Sequence, residues 1–596
     1  MNNNGVSLNN KLKLFGTASV YGYLNLSAFV ISNIGSFQTF PGSKLGIGHV
    51  NGVTGNIQVS GTKTISSLTN YEFNCMEPLV TKTTNFLPTT PPKTTQNLTV
   101  STSGTLAYNE DMTVNGFLFV NPFSKLEIEA GKTLTVNGPV NLTSPNCVVL
   151  ASPLTHGASA SLITNGNIFY SGLGSVDVQR YIENWTGPTD GWHFLSSPIN
   201  NQIIVPSFID PTPANYDFFK WDETTTLWLN QKVPENNINV FMPGEGYLVE
   251  YNTTNQLKTF SGSLNNLDID FANLSYTPSQ EYRGWHLLGN PFPSAVKWNN
   301  GTWNLSNVAG ICKVWSENSG TYLDVNPNEN IPAMNGFMIW VSENFNTIRI
   351  PLAARVHDVS TNWYKKSENT IADRLQITAY STENNTNQRS VVQFNPNSTS
   401  GFDLSCDSYF LAGIDQAPEL YSIPQENAFL STNTLPYTEN SKIVYYGFKA
   451  GSSTNYSLKA EGLESFDPDV SILLEDSKLN IKQDLRLNPI YNFSSHVTDN
   501  SDRFAVHFGG VFGLEENKDE SMFQCFVSGK SIYVETMGDA TQGCEVSIYN
   551  LLGQQIFCNQ IKADKSRIDL NGPTGYYLIR VKCHSGVFSS KMLFVN

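Results

Sequence analysis

Short apolar–polar–apolar steps recur in the first part of the chain and restrict what it can fold into. They read Leu98-Thr99-Val100, Met112-Thr113-Val114, Leu126-Glu127-Ile128, Leu134-Thr135-Val136 and Val140-Asn141-Leu142. Each step places two side chains on one face of a strand and one on the other. Gly116, Gly131 and Gly138 stand between the steps as turn residues. We predict that residues 1–175 form a parallel β-helix or related β-solenoid, whose stacked rungs bury one aliphatic column. A plain antiparallel sandwich is the alternative.

The composition extends this expectation to the whole chain. Charged residues make up 15% of the sequence, against roughly 25% in an average soluble domain, and Asn, Ser and Thr supply the surface polarity. Their short side chains compete for backbone hydrogen bonds, which disfavours helices. No long amphipathic helical stretch occurs in the sequence, so we predict an all-β fold class. A length of 596 residues indicates about three to five domains.

Charge and hydropathy argue against two classes of partner. The net charge of -15 and the pI near 5.0 argue against nucleic acid, because phosphate binding needs clustered Lys and Arg. The sequence has no run of 18 apolar residues, so no transmembrane helix is expected.

The cysteines lack the spacing of a zinc site, and neither a metal nor a cofactor is predicted. Buried or free thiols are favoured, and any disulfide is expected in one cluster: Cys525, Cys544, Cys558 and Cys583.

Residues 176–356 contain an internal repeat. Gly191-Trp192-His193 recurs as Gly284-Trp285-His286, Trp221 recurs as Trp315, and the Gly246 turn recurs at Gly336. The offsets are 284 − 191 = 93, 315 − 221 = 94 and 336 − 246 = 90 residues. Three ordered landmarks at similar offsets predict a duplicated β module, in which two copies of about 90 residues pack together.

Three further segments complete the predicted domain organisation. Residues 357–510 carry strand candidates such as Asp373–Ala379 and Lys442–Tyr446, and are predicted to form a β-sandwich. Residues 511–523 include a charged stretch with few apolar side chains, which is typical of a linker. Residues 524–596 are predicted to form a compact, immunoglobulin-like sandwich.

The end of the chain carries an ordered set of motifs. Their residues are Leu552 and Gly553, then Gly575, Tyr576, Tyr577 and Val581, and finally Lys591 and Val595. Gly553 suits the turn of a hairpin, and Gly575 opens the next strand. This order resembles the type A C-terminal sorting domain of proteins exported by the type IX secretion system of Bacteroidetes. One departure is that residues 522–526 stand where that family usually opens with Pro-Asn-Pro.

The resemblance implies a route and a destination. Members of this family are recognised by an outer-membrane translocon and lose the sorting domain to a sortase-like peptidase. They are then released or attached to an anionic lipopolysaccharide. We therefore expect cleavage within residues 510–525 and an extracellular or outer-membrane surface location. Residues 1–30 show no signal peptide, and an export tail without an export start predicts that Met1 is not the natural start.

Tryptophan supplies the candidate ligand site. Nine of the ten tryptophans lie between residues 185 and 340. Four of them recur between the two copies, as core residues would: Trp192, Trp221, Trp285 and Trp315. Three have no obvious counterpart and are the candidates for an exposed platform that stacks on sugar rings: Trp228, Trp298 and Trp303.

Histidines and paired acids complete the set of residues that could carry chemistry. His193 and His286 occupy equivalent places, and we predict hydrogen-bonded histidines at strand ends. Glu127 with Glu129, and Asp268 with Asp270, are pairs that each share one strand face. Paired carboxylates can hydrolyse glycosides, but solvated strand faces carry such pairs often. No catalytic residue is predicted.

These features favour a non-enzymatic, multidomain β protein that acts as an adhesin or as a glycan- or matrix-binding component. The alternative is a fragment of a secreted carbohydrate-active enzyme, a lyase or hydrolase, with accessory β domains. Clustered acids, Lys or Arg in a groove of residues 1–175 would favour the enzyme. A third hypothesis assigns glycan binding to the repeat module, residues 176–356.

Overall fold

The protein is built almost entirely from strands. The computed structural model describes residues 6–7, 11–76, 82–83, 93–155, 157–184, 191–252, 257–359, 373–425, 428–436, 442–468, 470–509, 523–528, 531–536, 545–550, 554–560, 565–570, 575–583 and 586–594. The chain divides into two compact units, Met1–Phe508 and Gly509–Asn596. The all-β prediction is confirmed, whereas the finer domain bounds within the first unit remain predictions.

The chain begins with successive coils of three short strands, which we call the coil stack. A five-residue helix, α1 (Gly52–Asn56), precedes β8. The strands of the coil stack are β1 (Val6–Ser7), β2 (Leu12–Lys13), β3 (Thr17–Val20), β4 (Tyr23–Asn25), β5 (Ile31–Asn33), β6 (Ser36–Thr39), β7 (Lys44–Ile47), β8 (Ile57–Val59), β9 (Lys63–Thr64), β10 (Asn70–Phe73), β11 (Lys82–Thr83), β12 (Lys93–Thr95), β13 (Leu98–Val100), β14 (Thr105–Tyr108), β15 (Met112–Val114), β16 (Leu118–Val120), β17 (Lys125–Ile128), β18 (Thr133–Val136), β19 (Val140–Leu142), β20 (Val148–Leu150), β21 (Ser161–Thr164), β22 (Ile168–Tyr170) and β23 (Val176–Tyr181).

On the first sheet of the coil stack, each strand pairs in parallel with the strand three places further along the chain, in the order β1-β4-β7-β10-β13-β16-β19-β22. The second face has the same pairing within two sheets, β2-β5-β8 and β11-β14-β17-β20-β23, and so has the third face, within β3-β6-β9 and β12-β15-β18-β21. This is the pairing of a parallel solenoid with three strands per coil, so the antiparallel alternative does not hold for these residues. Coils are numbered from coil 1 (β1–β3) to coil 8 (β22–β23). Neighbouring coils lie about 4.8 Å apart, the spacing between hydrogen-bonded strands.

The apolar positions of the steps form ladders inside the stack. Consecutive partners on the first sheet are all buried: Leu45, Tyr71, Leu98, Leu118 and Val140. One corner of the stack requires glycine, because a Cβ at Gly138 would lie 2.4 Å from the carbonyl oxygen of Gly116, and one at Gly166 would lie 2.3 Å from that of Gly138. No other residue permits so close an approach of successive coils.

The next segment folds as two copies of one sheet. Its strands are β24 (His193–Leu195), β25 (Tyr216–Asp222), β26 (Leu227–Asn230), β27 (Tyr247–Tyr251), β28 (Leu257–Gly262), β29 (Ile269–Ala272), β30 (Trp285–Gly289), β31 (Ala295–Lys297), β32 (Asn304–Ser306), β33 (Cys312–Ser316), β34 (Thr321–Val325), β35 (Asn330–Ile331), β36 (Gly336–Trp340), β37 (Thr347–Ile350) and β38 (Arg355–Val356), with short 3-10 helices at Pro213–Asn215, Pro234–Asn236 and Leu352–Ala354. The orders β24-β27-β25-β26 and β30-β36-β33-β34 are equivalent, and so are the outer pairs β23–β28 and β29–β37.

The last segment of the first unit forms one large sheet. Its strands are β39 (Arg374–Ser381), β40 (Asn387–Phe394), β41 (Ser408–Tyr409), β42 (Glu419–Ile423), β43 (Leu430–Leu435), β44 (Lys442–Lys449), β45 (Asn455–Glu461), β46 (Ile472–Asp476), β47 (Ile481–Asp484), β48 (Ile490–Ser494) and β49 (Asp502–Phe508), with a 3-10 helix at Leu463–Ser465. All eleven strands belong to one hydrogen-bonded sheet whose order ends at β47 and β48.

This sheet curls until its two ends meet. The Gln483 amide on β47 donates to the carbonyl oxygen of Ile490 on β48, at 2.9 Å. On the neighbouring strands β46 and β49, Arg503 donates to both carboxylate oxygens of Asp476, at 3.0 and 2.7 Å. The sequence predicts a two-sheet sandwich here, and the structure replaces it with a single curled sheet. Alternation shows that one face of each strand is buried, but not which strands pair.

The second unit is a small two-layer sandwich. Its strands are β50 (Phe523–Ser528), β51 (Ser531–Thr536), β52 (Glu545–Tyr549), β53 (Gln555–Gln560), β54 (Lys565–Asp569), β55 (Gly575–Cys583) and β56 (Gly586–Phe594). They form one sheet of order β50-β51-β54 and another of order β53-β52-β55-β56. Ile532 and Val534 from one layer pack with Ile548 and Ile579 from the other in a shared core. The predicted linker, 511–523, lies almost entirely outside the described residues.

Candidate functional site

The described part of the sorting motif lies on the last two strands of the second unit, β55 and β56. Gly575, Tyr576, Tyr577 and Val581 belong to β55, which pairs with β52 on one side and β56 on the other. The side chains of Tyr577 and Val581 are buried in the core. Lys591 lies on β56, directly opposite Leu578. Leu552, Gly553 and Val595 lie outside the described residues.

Two of the three predicted platform tryptophans are core residues, so that prediction is wrong for them. Trp298 is fully buried and donates from Nε1 to the carbonyl oxygen of Gly310, at 2.7 Å. Trp303 packs edge-on against it at 4.7 Å and donates to Lys297 O at 2.8 Å. Because both indole N–H groups have carbonyl partners, both rings can be buried without leaving a hydrogen-bond donor unsatisfied. Trp228 is half-buried and packs edge-on against Trp221 at 5.1 Å.

Exposed apolar side chains, most of them aromatic, occur instead on the first sheet of the coil stack and in the turns that adjoin its strands. We call this surface the aromatic face and define it by the half-buried Phe119 and the exposed Phe117, Phe123, Phe169 and Leu173. Phe119, Asn141 and Phe169 are consecutive register partners on β16, β19 and β22. Phe169 is 49% exposed, and Phe123, in the turn after β16, is 90% exposed. The uneven distribution of tryptophan gave no indication of this surface, whereas Phe119 and Phe169 stand at the polar, outward position of their strands.

Phe123 has an unusual backbone conformation. Its φ angle is 66°, in the left-handed region that bulky side chains rarely adopt. Its N–H donates to Ser144 Oγ of the next coil, at 3.0 Å. This turn therefore holds an exposed ring at a cost in backbone strain. Strained backbone conformations occur most often at functional sites.

The same sheet is polar over the earlier coils. Glu72 accepts hydrogen bonds from Tyr23 Oη at 3.0 Å and Ser101 Oγ at 3.3 Å, and Lys44 Nζ lies 2.7 Å from its carboxylate. Burial opposes ionisation of Glu72, but the Lys44 ammonium and these hydroxyl groups outweigh it and lower the pKa of the carboxyl. Burial, followed by the nearby Glu72 carboxylate, raises the pKa of Tyr23 to about 12.

The histidines of the repeat are hydrogen-bonded, as predicted, and they reveal a reciprocal arrangement. His193 of the first copy bonds through Nδ1 to Glu317 of the second, at 2.5 Å. The equivalent acid of the first copy, Glu223, accepts from Gly284 N–H of the second at 2.8 Å, two residues before His286. Burial lowers the pKa of His286, whose neutral ring donates from Nε2 to Ser275 O at 2.8 Å. Each copy thus binds the Gly-Trp-His segment of the other.

The structure places the two pairs of acids on different parts of the first unit. Asp270 accepts two hydrogen bonds from Arg349 at 2.6 and 2.9 Å, and Glu127 and Glu129 remain on the second face of the coil stack. Among the described residues, no group of three or more His, Cys, Asp and Glu side chains could hold a metal ion. In the same part of the chain, no helix has the length and apolar character needed to cross a membrane.

Comparison with known proteins bears on both units. A family described as "Secretion system C-terminal sorting domain" matches residues 529–596, so the tail is a type IX sorting signal. The protein is therefore a substrate of this secretion machinery, and its destination is the cell surface or the extracellular space. Among solved structures, the chain is similar to one described as "Biofilm associated protein - BSP domain", with 10% identity over 70% of this chain and 92% of that chain. The TM-score of 0.11 is too low to support any argument.

The larger unit also has a family match. No curated protein matches the sequence. A family described as "Domain of unknown function (DUF8693)" matches residues 80–328 and 319–508. Together these segments cover the end of the coil stack, the duplicated module and the curled sheet, which is well over half of the chain. The protein therefore belongs to the DUF8693 family and ends in a type IX secretion sorting domain.

Proposed function

We propose that this exported protein is a non-enzymatic adhesin, which binds a component of a matrix or of a neighbouring surface through the aromatic face. The observation that carries the proposal is the exposure of Phe123 and Phe169 on a rigid parallel sheet. Exposed, clustered apolar side chains on a folded protein mark interaction surfaces. The left-handed backbone of Phe123 supports this assignment, because folding alone would favour Asn or Gly at that position.

The distribution of charge supports binding over catalysis on this surface. The outward positions of β13, β16, β19 and β22 carry only uncharged side chains, including Thr99, Asn141 and both phenylalanines of the register ladder. A lyase or hydrolase needs acids, Lys or Arg beside its substrate. These strands therefore favour the adhesin over the carbohydrate-active enzyme.

The sorting domain also gives the proposal a route to the surface. In this proposal the outer-membrane translocon recognises the second unit, and a sortase-like peptidase cleaves within residues 510–525. The first unit is then released or attached to an anionic lipopolysaccharide. In either case the aromatic face meets the extracellular medium, where an adhesin acts.

Replacement of Phe123 by Asn separates binding from folding. Asn accepts the left-handed backbone, so Phe123→Asn in the full chain should keep or raise the Tm while removing the exposed ring. We expect attachment of the purified protein to extracted biofilm matrix to fall about tenfold, measured by surface plasmon resonance. Phe345→Asn is the control, because Phe345 is 82% exposed on the duplicated module. Equal attachment of both variants and the wild type would contradict the proposal.

A further inference from the structure

We propose that the aromatic face binds an extended, uncharged polysaccharide whose chain runs along the stacking axis of the coils. This inference rests on the proposed adhesin function and names the partner of that same surface.

The spacing of the rings fits a sugar chain. Phe119 lies on coil 6 and Phe169 on coil 8, in register through Asn141 of coil 7. Two coil steps place the two rings about 10 Å apart along the axis. This is close to the length of a disaccharide in an extended β-linked chain. Alternate sugar rings of such a chain can therefore stack on successive phenylalanine rings, as apolar faces do on aromatic groups.

The side chains around the rings suit hydroxyl groups. Asn141 lies between the two phenylalanines in the register, and Asn167 is exposed at the outward position just before Phe169. Amide side chains offer both donors and acceptors, as alternating sugar hydroxyls require. Stacking in register already orders such amides on this protein, since Asn165 Nδ2 donates to Asn137 Oδ1 of the preceding coil at 2.8 Å.

The charge of the face selects an uncharged chain. Over coils 5 to 8, the outward residues at the centres of the strands of the first sheet are all uncharged, and the outward residues that flank them are Asn, Ser, Thr, Phe and Pro. The central residues are Thr99, Phe119, Asn141 and Phe169. The nearest charges on this sheet, Lys44 and Glu72, lie on coils 3 and 4 and are paired at 2.7 Å. An acidic polysaccharide would find no cationic side chain to pair with on this face. The carboxylates of the polysaccharide would therefore lose hydration without compensation.

Binding of defined oligosaccharides to the full chain tests the inference. The probes are the neutral hexasaccharides cellohexaose, mannohexaose and xylohexaose, with oligogalacturonate of equal length as the acidic comparison, all measured by isothermal titration calorimetry. We expect at least one neutral probe to bind better than oligogalacturonate, with little dependence on salt. Phe169→Ala should weaken that binding about tenfold, Asn141→Ala should weaken it less, and Phe345→Ala should leave it unchanged.

The results distinguish this inference from the function on which it rests. Preference for oligogalacturonate, or no binding of any neutral probe, would overturn the polysaccharide assignment. If Phe123→Asn still reduced attachment to matrix in that case, the adhesin proposal would stand with a different partner. Binding of a neutral hexasaccharide that Phe169→Ala does not weaken would place the site elsewhere and overturn the inference.

Discussion

His357 lies between two hydroxyl groups of the coil stack. Its Nε2 lies 2.8 Å from Thr135 Oγ1, and its Nδ1 lies 2.8 Å from Ser161 Oγ. Burial lowers the pKa of His357 to about 4. The folded protein therefore favours the neutral ring, which can donate from one nitrogen and accept at the other.

This lowered pKa predicts a loss of stability in mild acid. Between pH 6.5 and about pH 4 the unfolded chain binds a proton at this histidine and the folded chain does not. The free energy of unfolding should therefore fall as the pH decreases through this window, by at most about 1.4 kcal/mol per pH unit. Above pH 6.5 both states are neutral, and the contribution is constant.

Denaturant unfolding at a series of pH values would measure the effect. His357→Gln should flatten the decline between pH 6.5 and pH 4, because Gln has no proton to gain. His496→Gln, at an exposed position, is the matched control and should leave the profile unchanged. A decline of equal slope in His357→Gln would show that other groups cause it.

Single residues also show where sequence reasoning stops. The prediction that repeated tryptophans are core residues rested on equivalence between copies. Trp285 and Trp315 are buried, whereas Trp192 and Trp221 are half-buried. The prediction for Trp298 and Trp303 assumed that a tryptophan without a counterpart in the other copy is not a core residue. The second copy has an additional core of its own, in which Gly310 O and Lys297 O accept the indole protons. No local pattern in the sequence reveals those distant partners.

At the scale of elements, the glycine corner of the coil stack should be intolerant of any side chain. Gly138→Ala would place a Cβ 2.4 Å from the carbonyl oxygen of Gly116, so the two coils must move apart. We expect a loss of about 1–3 kcal/mol in the free energy of unfolding, measured by chemical denaturation. Gly22→Ala is the control, because its Cβ would meet no atom within 4 Å. Equal stability of the two variants would contradict the stacked geometry.

The strands themselves could largely be predicted from the sequence, and their partners only in part. The steps at residues 98–142 became β13, β15, β17, β18 and β19, because strict alternation specifies a strand with one buried face. The solenoid was predicted from the short intervals between these steps, although the intervals are irregular. The curl of β39–β49 into one sheet did not follow, since it depends on side chains far apart in sequence, such as Asp476 and Arg503.

The whole molecule depends on the second unit for its destination. Ile579 is fully buried in the core of that unit, and Ile579→Asp should unfold it, because a charge would be buried without a partner. With every chain expressed behind a signal peptide for the inner membrane, we expect the variant to remain in the cell fraction of a type IX-secreting host, as should a chain that lacks residues 509–596. Immunoblots of cell and medium fractions would measure this. Ile556→Ser, at an exposed position, should be exported normally, and export of Ile579→Asp would contradict the prediction.

At this scale the sequence revealed the duplication but not its interdependence. Three landmarks at offsets of 90–94 residues predicted two copies, and the strand order of the two sheets is equivalent. The hydrogen bonds that Glu223 and Glu317 each make to the other copy could not be foreseen, because contacts between residues far apart in the sequence leave no periodic signal. The aromatic face was missed for a related reason, since its rings come together only through stacking.

The strand β23 pairs with a strand of the coil stack on one side and with a strand of the duplicated module on the other. It is the last strand of the second face of the coil stack, and it also pairs antiparallel with β28 over six residues, from Val176 opposite Gly262 to Tyr181 opposite Leu257. If a ligand bound on coils 5 to 8 is pulled, this strand transmits tension directly to the duplicated module, and so do the hydrogen bonds of His357 to Thr135 and Ser161. These connections lie on coils 6 to 8, beside the bound ligand. The force therefore enters the duplicated module over a short distance and through backbone pairing, which resists separation better than a single side-chain contact would.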